Sequence, residues 1–220
     1  MTPAQELHEA IRIGDEARVN ALLDADPALV HGGGAAGMAP LLLAIYTKRP
    51  LMAKLLLGRG AQLDVFAAAA MGETAVCRKF VQADDLLLQM ASSDGWTPLH
   101  LACFFGNLDT ADMLLQLGAD VKVRSANAMN NTPLHAAAAS RNQDICALLL
   151  SHGAEVNAAQ HAGYTALHSA AANGDLEIVR LLLAHEASPA AKSEKGETPL
   201  EMARQRGHEA VADLLERTAR

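Results

Sequence analysis

Three histidines in this sequence share one local setting: Thr97-Pro98-Leu99-His100, Thr132-Pro133-Leu134-His135 and Thr165-Ala166-Leu167-His168. Imidazole transfers protons near neutral pH and is a common metal ligand, so a recurring set invites an acid–base or metal-centre reading. The spacing argues against it. Counting Thr198 of Thr198-Pro199-Leu200-Glu201 as a fourth, successive threonines lie 35, 33 and 33 residues apart, so each histidine holds the same place in its own structural unit. Equivalent points on stacked helices stand about 10 Å apart, whereas a metal bond needs about 2 Å.

Other chemistry-bearing residues give less. Cys77, Cys103 and Cys146 have neither pairing nor metal-ligand spacing and fall where small buried residues are expected. The acid pairs Asp84-Asp85 and Asp24/Asp26 have no accompanying nucleophile or oxyanion glycine. Gly32-Gly33-Gly34 lacks the Lys-Ser/Thr of a phosphate-binding loop and reads as a flexible connection. Asn130-Asn131-Thr132 fits the glycosylation pattern, which has no role in a chain that stays in the cytoplasm. No catalytic, cofactor-binding or metal-binding residues are assigned, and the chain is read as a non-enzyme.

The histidines are positioned by a repeating element. Threonine caps the orphan N–H groups of a helix start, and proline is tolerated in the first turn because its missing N–H would have had no partner. Leu99, Ala102 and Cys103 then recur at helical spacing, giving a first helix with a narrow face of small apolar residues. A glycine nine residues after the threonine (Gly106, Gly174, Gly207) is followed by a bulkier second helix, as in Leu108, Met113, Leu114 and Leu117, which Gly118 ends. One such pair has no core of its own; stacking makes one.

These landmarks, with the closing Gly118-Ala119-Asp120-Val121 and Gly153-Ala154-Glu155-Val156-Asn157, make the chain resemble the ankyrin-repeat family. The resemblance implies an all-α solenoid of about seven stacked helix-turn-helix repeats with short hairpin loops. It also implies that each signature histidine joins a hydrogen-bond network with its threonine and the neighbouring loop. The units fall at approximately 1–34, 35–62, 63–92, 93–127, 128–160, 161–193 and 194–220, in a single domain.

Three units depart from the pattern. The first opens with Gln5-Glu6-Leu7-His8, threonine and proline being replaced, and its second helix is stopped by Asp26-Pro27. In the second, Ala39-Pro40 opens the unit, Lys48 replaces the mid-unit glycine and Pro50 starts the next helix. The third is short. Aligned on Gly72, its threonine position falls on Leu63, only 24 residues after Ala39, so a hairpin of about nine or ten residues is missing by comparison with the repeat period. Asp64 then caps a helix over Phe66–Met71, because alanine is the best helix former and no β-branched residue interrupts that run. At the far end the last helix runs to Leu215, with residues 216–220 a polar tail.

Half of the residues are hydrophobic but only 3% aromatic, which suits a core of alanine and leucine. A formal charge of -7 argues against a nucleic-acid backbone as partner. No run of 18 apolar residues and no export signal is present, so neither membrane insertion nor secretion is expected, and a reduced cytoplasmic monomer is the simplest account.

A surface remains. In units resembling ankyrin repeats the ligand side is the concave one, formed by the residue before the threonine, the two residues before the mid-unit glycine and the hairpin tips. The resemblance therefore nominates Tyr46, Met71, Trp96, Phe104, Phe105, Tyr164 and Asn173 as partner-binding residues for an unidentified protein or peptide. Aromatic side chains are frequent interface anchors, and most of these stand beside the missing hairpin. Two alternatives stay open: that Phe104 and Phe105 only fill the space the hairpin leaves, and that Tyr46, Met71 and Phe104 form a pocket through which an accessory subunit or small-molecule binder acts. The cysteine positions carry a prediction of their own: all three thiols react slowly with a bulky thiol reagent in the native protein, and rapid labelling of all three would contradict it.

Overall fold

The computed structural model describes residues 1–32 and 38–218. Among them fourteen helices form seven pairs. The first two pairs are α1 (Pro3–Ile13) with α2 (Glu16–Ala25) and α3 (Pro40–Tyr46) with α4 (Pro50–Gly58). Next come α5 (Val65–Met71) with α6 (Thr74–Ala83) and α7 (Pro98–Phe105) with α8 (Leu108–Gln116). The last three are α9 (Pro133–Ala139) with α10 (Gln143–Ser151), α11 (Ala166–Asn173) with α12 (Leu176–Ala184), and α13 (Pro199–Gln205) with α14 (Glu209–Thr218). Each first helix packs on its own second helix and on the next first helix, α1 on α3 through α11 on α13, as a linear stack requires.

The helix starts follow the sequence. Thr97, Thr132, Thr165 and Thr198 each occupy an N-cap in a reciprocal capping box whose other member is His100, His135, His168 or Glu201. Asp64 caps α5 by accepting from the Ala67 N–H at 2.7 Å. Only residues 59–64 join α4 to α5, and no hairpin projects there. The later hairpins bond to one another. The Ala126 N–H donates to the Gly95 carbonyl at 2.7 Å, His161 to Met129 at 2.9 Å and Glu194 to Ala162 at 2.9 Å.

Three details differ from the expectation. The first helix starts at Pro3, with Thr2 as N-cap and Gln5 as the capping-box partner, so a Thr-Pro pair is present one turn earlier than the aligned position. After α2 and α6 the chain makes a 3-10 turn, Pro27–His31 and Asp85–Leu88, each capped by the preceding aspartate. The last helix continues through Thr218 rather than ending at Leu215. Gly33 and Gly34 of the glycine run lie outside the described residues.

The apolar faces assemble into two contiguous clusters rather than one. The first is built from α1 to the start of α5 around Leu7, Ile11, Leu23 and Leu56, and the second extends from Leu42 and Val65 to Leu215. Half-buried Met38, Ile45 and Leu63 pack against both. Alanine dominates the first helices of the third, fifth and sixth units, α5, α9 and α11, which lets backbones approach closely. Cys77, Cys103 and Cys146 are free and fully buried. Burial pushes the Cys77 thiol up to about 11, Cys146 to about 12 and Cys103 well above the ordinary thiol value.

Two polar networks join successive units. In the first, the backbone N–H of Thr97, Thr132 and Thr165 donates to the Nδ1 of His100, His135 and His168 at 3.4, 3.2 and 3.1 Å. That leaves the proton on Nε2, which donates to the carbonyl of Asn131, Tyr164 and Glu197 in the next unit at 3.0, 3.2 and 3.1 Å. The second network caps helix C-termini. The side-chain amide of Asn107 donates to the carbonyls of Ala69 and Ala70 at 2.9 Å each, Asn142 to Cys103 at 3.2 Å, and the His208 ring to Ala172 at 3.1 Å. Gly106 has a double reason to be glycine: its φ of 80° is left-handed, and a Cβ there would meet the Asn142 amide at 2.8 Å.

Burial pushes the rings of His100 and His135 down to about 4 and lowers His168 as well. A histidine with a depressed folded-state pKa contributes its full stability above its unfolded value of about 6.5 and loses it as protons bind the unfolded chain preferentially. The urea midpoint is therefore expected to fall as pH drops from 6.5 toward 4. Replacing His135 by Ala is expected to cost about 1 to 3 kcal/mol at pH 7 through orphaned buried groups. Stability that stays constant across that pH window would exclude neutral buried rings.

Candidate binding surface

The residues nominated by sequence occupy three places. Tyr46, Trp96, Phe104 and Phe105 come together as one aromatic cluster. Trp96 precedes the Thr97 cap, so the helix start fixes it beside the same unit's histidine, with ring centroids 5.7 Å apart. It meets Phe104 edge-on at 5.2 Å and 88°, and Phe104 meets Phe105 edge-on at 5.2 Å and 89°. Tyr46, two units earlier, reaches Phe105 at 5.2 Å and Phe104 at 6.2 Å. The intervening unit carries Ala70 at the equivalent position, buried and too small to separate the rings. These edge-on geometries match the quadrupole preference of aromatic pairs.

A polar contact holds the cluster. The Tyr46 hydroxyl donates to Asp94 Oδ2 at 2.5 Å, bridging the second unit to the hairpin before the fourth. Ser92 donates to the other Asp94 oxygen. Burial first, and then the bond to Asp94, raises the Tyr46 pKa far above the ordinary phenol value. All four rings are half-buried. They pack against the core and remain partly exposed to solvent.

Tyr164 and Asn173 lie farther along, on a concavity of about 320 Å³ that also takes in Met129, His168, Met202 and Arg206. Tyr164 stacks edge-on against His168 at 5.5 Å and donates its hydroxyl to Glu197 Oε2 at 2.7 Å. The Asn173 amide donates to the carbonyls of Ala138 and Ala139 at 3.3 and 3.1 Å, so its NH2 group is committed to the preceding unit. Met71 faces a different cavity, of about 270 Å³, with Ala44, Ile45, Pro50 and Ala53.

Sequence reasoning missed Asp94 as the anchor of Tyr46 and Met129 as a wall of the concavity. The signals were present in part: Asp94 sits in the turn facing the deletion, and Met129 belongs to the connection that is longer than its neighbours. The capping residues Asn107 and Asn142 were also missed, although they recur 35 residues apart, directly after the mid-unit turn.

The ring nitrogens of His100, His135 and His168 are all occupied by backbone and threonine groups. Among the described residues, no three His, Cys, Asp or Glu side chains cluster as metal ligands would. No helix of the described residues is long and apolar enough to cross a membrane.

A linear array of helix pairs joined by projecting hairpins, with its polar contacts spent on its own neighbours and a ring-lined face left over, defines a helical-repeat solenoid. Family comparison agrees and goes further. A family model described as ankyrin repeats (3 copies) matches residues 65–160, and another described as ankyrin repeats (many copies) matches residues 149–203, which together span more than half of the sequence. The chain belongs to the ankyrin-repeat family. It is also 36% identical over 61 residues to the human (Homo sapiens) ankyrin repeat and SAM domain-containing protein 3. That stretch is 28% of this chain and 9% of the relative, so the likeness covers a small part of a much longer protein. Ankyrin repeats are generally protein-interaction modules and typically non-enzymatic.

The bridge across the third unit is testable. Tyr46→Phe removes one hydrogen bond to a charged acceptor and keeps the ring, so it is expected to cost about 1.5 to 3 kcal/mol in thermal or urea unfolding. In an Asp94→Asn background the same change is expected to cost markedly less, and equal costs in both backgrounds would mean that the pair contributes nothing.

Proposed function

We propose that this chain is a non-enzymatic binding module that presents its concave face and hairpin tips to a protein or peptide, as a monomer in a reduced cytoplasmic compartment. The observation that carries this is the half-buried cluster of Tyr46, Trp96, Phe104 and Phe105. Its rings are braced from behind by Asp94 and the core, so they are ordered before any partner arrives. Pre-ordered aromatic side chains desolvate large areas at little entropic cost, which is what interface anchors require. Tyr164 and the adjoining concavity extend the same face toward the C-terminal units.

Trp96→Ser and Phe104→Ser test the reading. At least one is expected to weaken a partner captured by the wild-type chain by about 2 kcal/mol or more, roughly thirtyfold, while the protein stays folded at the assay temperature. Unchanged capture by both folded variants would overturn the assignment of this face.

A further inference from the structure

The turn between α3 and α4, Thr47-Lys48-Arg49, lies at the edge of the array opposite the hairpins. It borders the cavity of about 270 Å³ whose walls are the apolar side chains of Ala44, Ile45, Pro50, Ala53 and Met71. A second cavity, of about 230 Å³, adjoins the other side of the same turn, between Gly14 and Leu51. Both expose the same two cations. Among the described residues neither Lys48 nor Arg49 forms an ion pair. Glu16, which lines the adjoining cavity, and Glu73, at the cap of α6, form none with them either.

This turn differs from most of its equivalents. Lys48 holds φ at 54°, the left-handed region, where Gly14, Gly72, Gly106, Gly174 and Gly207 serve five of the other units and Arg141 serves the sixth. A lysine accepts that backbone at a steric cost that glycine avoids. The other cation so placed, Arg141, pairs with Asp175 of the next unit at 3.4 Å, whereas Lys48 forms no ion pair with Glu73, the acid at the matching place of its own next unit. Arg49 is fixed rather than free to swing away, because its Nε donates to the Arg12 carbonyl at 2.9 Å and its guanidinium lies against Gly14. Lys48 and Arg49 thus stand on the rim of an apolar cavity without an ion pair, in a chain whose formal charge is -7.

We propose that this cavity is a second docking point, receiving a large apolar side chain of a partner peptide whose neighbouring carboxylates meet Lys48 and Arg49. It rests on reading the chain as a protein-binding module and adds a contact distinct from the aromatic cluster. Complementarity of charge selects the partner's acidic residues, and the apolar walls select the side chain between them.

The probe is a fluorescein-labelled acetyl-Glu-Glu-Leu-Phe-Glu-Glu peptide, compared with its Lys-for-Glu counterpart and with decanoate as competitor, read by fluorescence anisotropy on the full chain. The acidic peptide is expected to bind saturably, more weakly at high salt, and about tenfold more weakly to Lys48→Gly and to Met71→Glu. Lys48→Gly installs the residue other units use at this backbone conformation, so it is expected to unfold at the same temperature or higher, which separates lost binding from lost folding. No saturable binding, equal binding of the lysine peptide, unchanged affinity in both variants, or a preference for decanoate would each overturn the proposal. Trp96→Ser is expected to leave peptide binding at this edge unchanged. Loss in Trp96→Ser with none in Lys48→Gly would favour the aromatic face and remove this second point.

Discussion

In the fourth to sixth units the Nε2 of the buried histidine at each helix start is satisfied by a carbonyl of the following unit, and that bond ties each unit to the next. His100, His135 and His168 each take a proton donor from their own helix start and give one to the next hairpin. A ring placed in an alanine-rich interior without those partners would be a buried orphan, costing more than the bond itself contributes. The network therefore specifies the register of one unit on the next, while the leucine and alanine faces supply the apolar burial. The asparagine and histidine side chains that cap the preceding helix do the same at the opposite end of each pair.

The pattern lapses at the second and third units, and the lapse explains the surface. At the histidine position these units carry Leu42 and Phe66, and the hairpin between them is absent. The Trp96 carbonyl, which a histidine of the third unit would have served, accepts the Ser92 backbone N–H at 2.9 Å. Tyr46 then reaches across the short unit to Asp94. Aromatic contacts replace part of a polar tie, so the same rings that brace the junction are the ones left facing solvent.

Most of the architecture was legible because it is written in local chemistry repeated at a fixed interval: the Thr-Pro starts, the left-handed turns, the small-residue faces. Even the shortened third unit could be read, since Asp64 and the alanine run say where its helix begins. The misses were of two kinds. The first helix starts a turn early because Thr2-Pro3 lies outside the aligned register, and the 3-10 turns after α2 and α6 depend on Asp26 and Asp84 capping, which the repeat pattern does not encode. The contacts of the candidate surface were harder still. Tyr46 and Asp94 are 48 residues apart, and their meeting follows from a deletion between them rather than from either residue's own surroundings.

The division of the core into two clusters gives the solenoid an uneven elasticity. From the fourth unit onward each hairpin is tied to the next by a backbone hydrogen bond, in addition to the histidine bond at the helix start. Between the two clusters the connection passes through Met38, Ile45 and Leu63 and the short link ahead of Asp64. In a quasi-one-dimensional array each interface carries the whole load in series. Among the described residues, the junction of the second and third units has neither a hairpin bond nor a signature histidine, and the aromatic bridge spans that same joint.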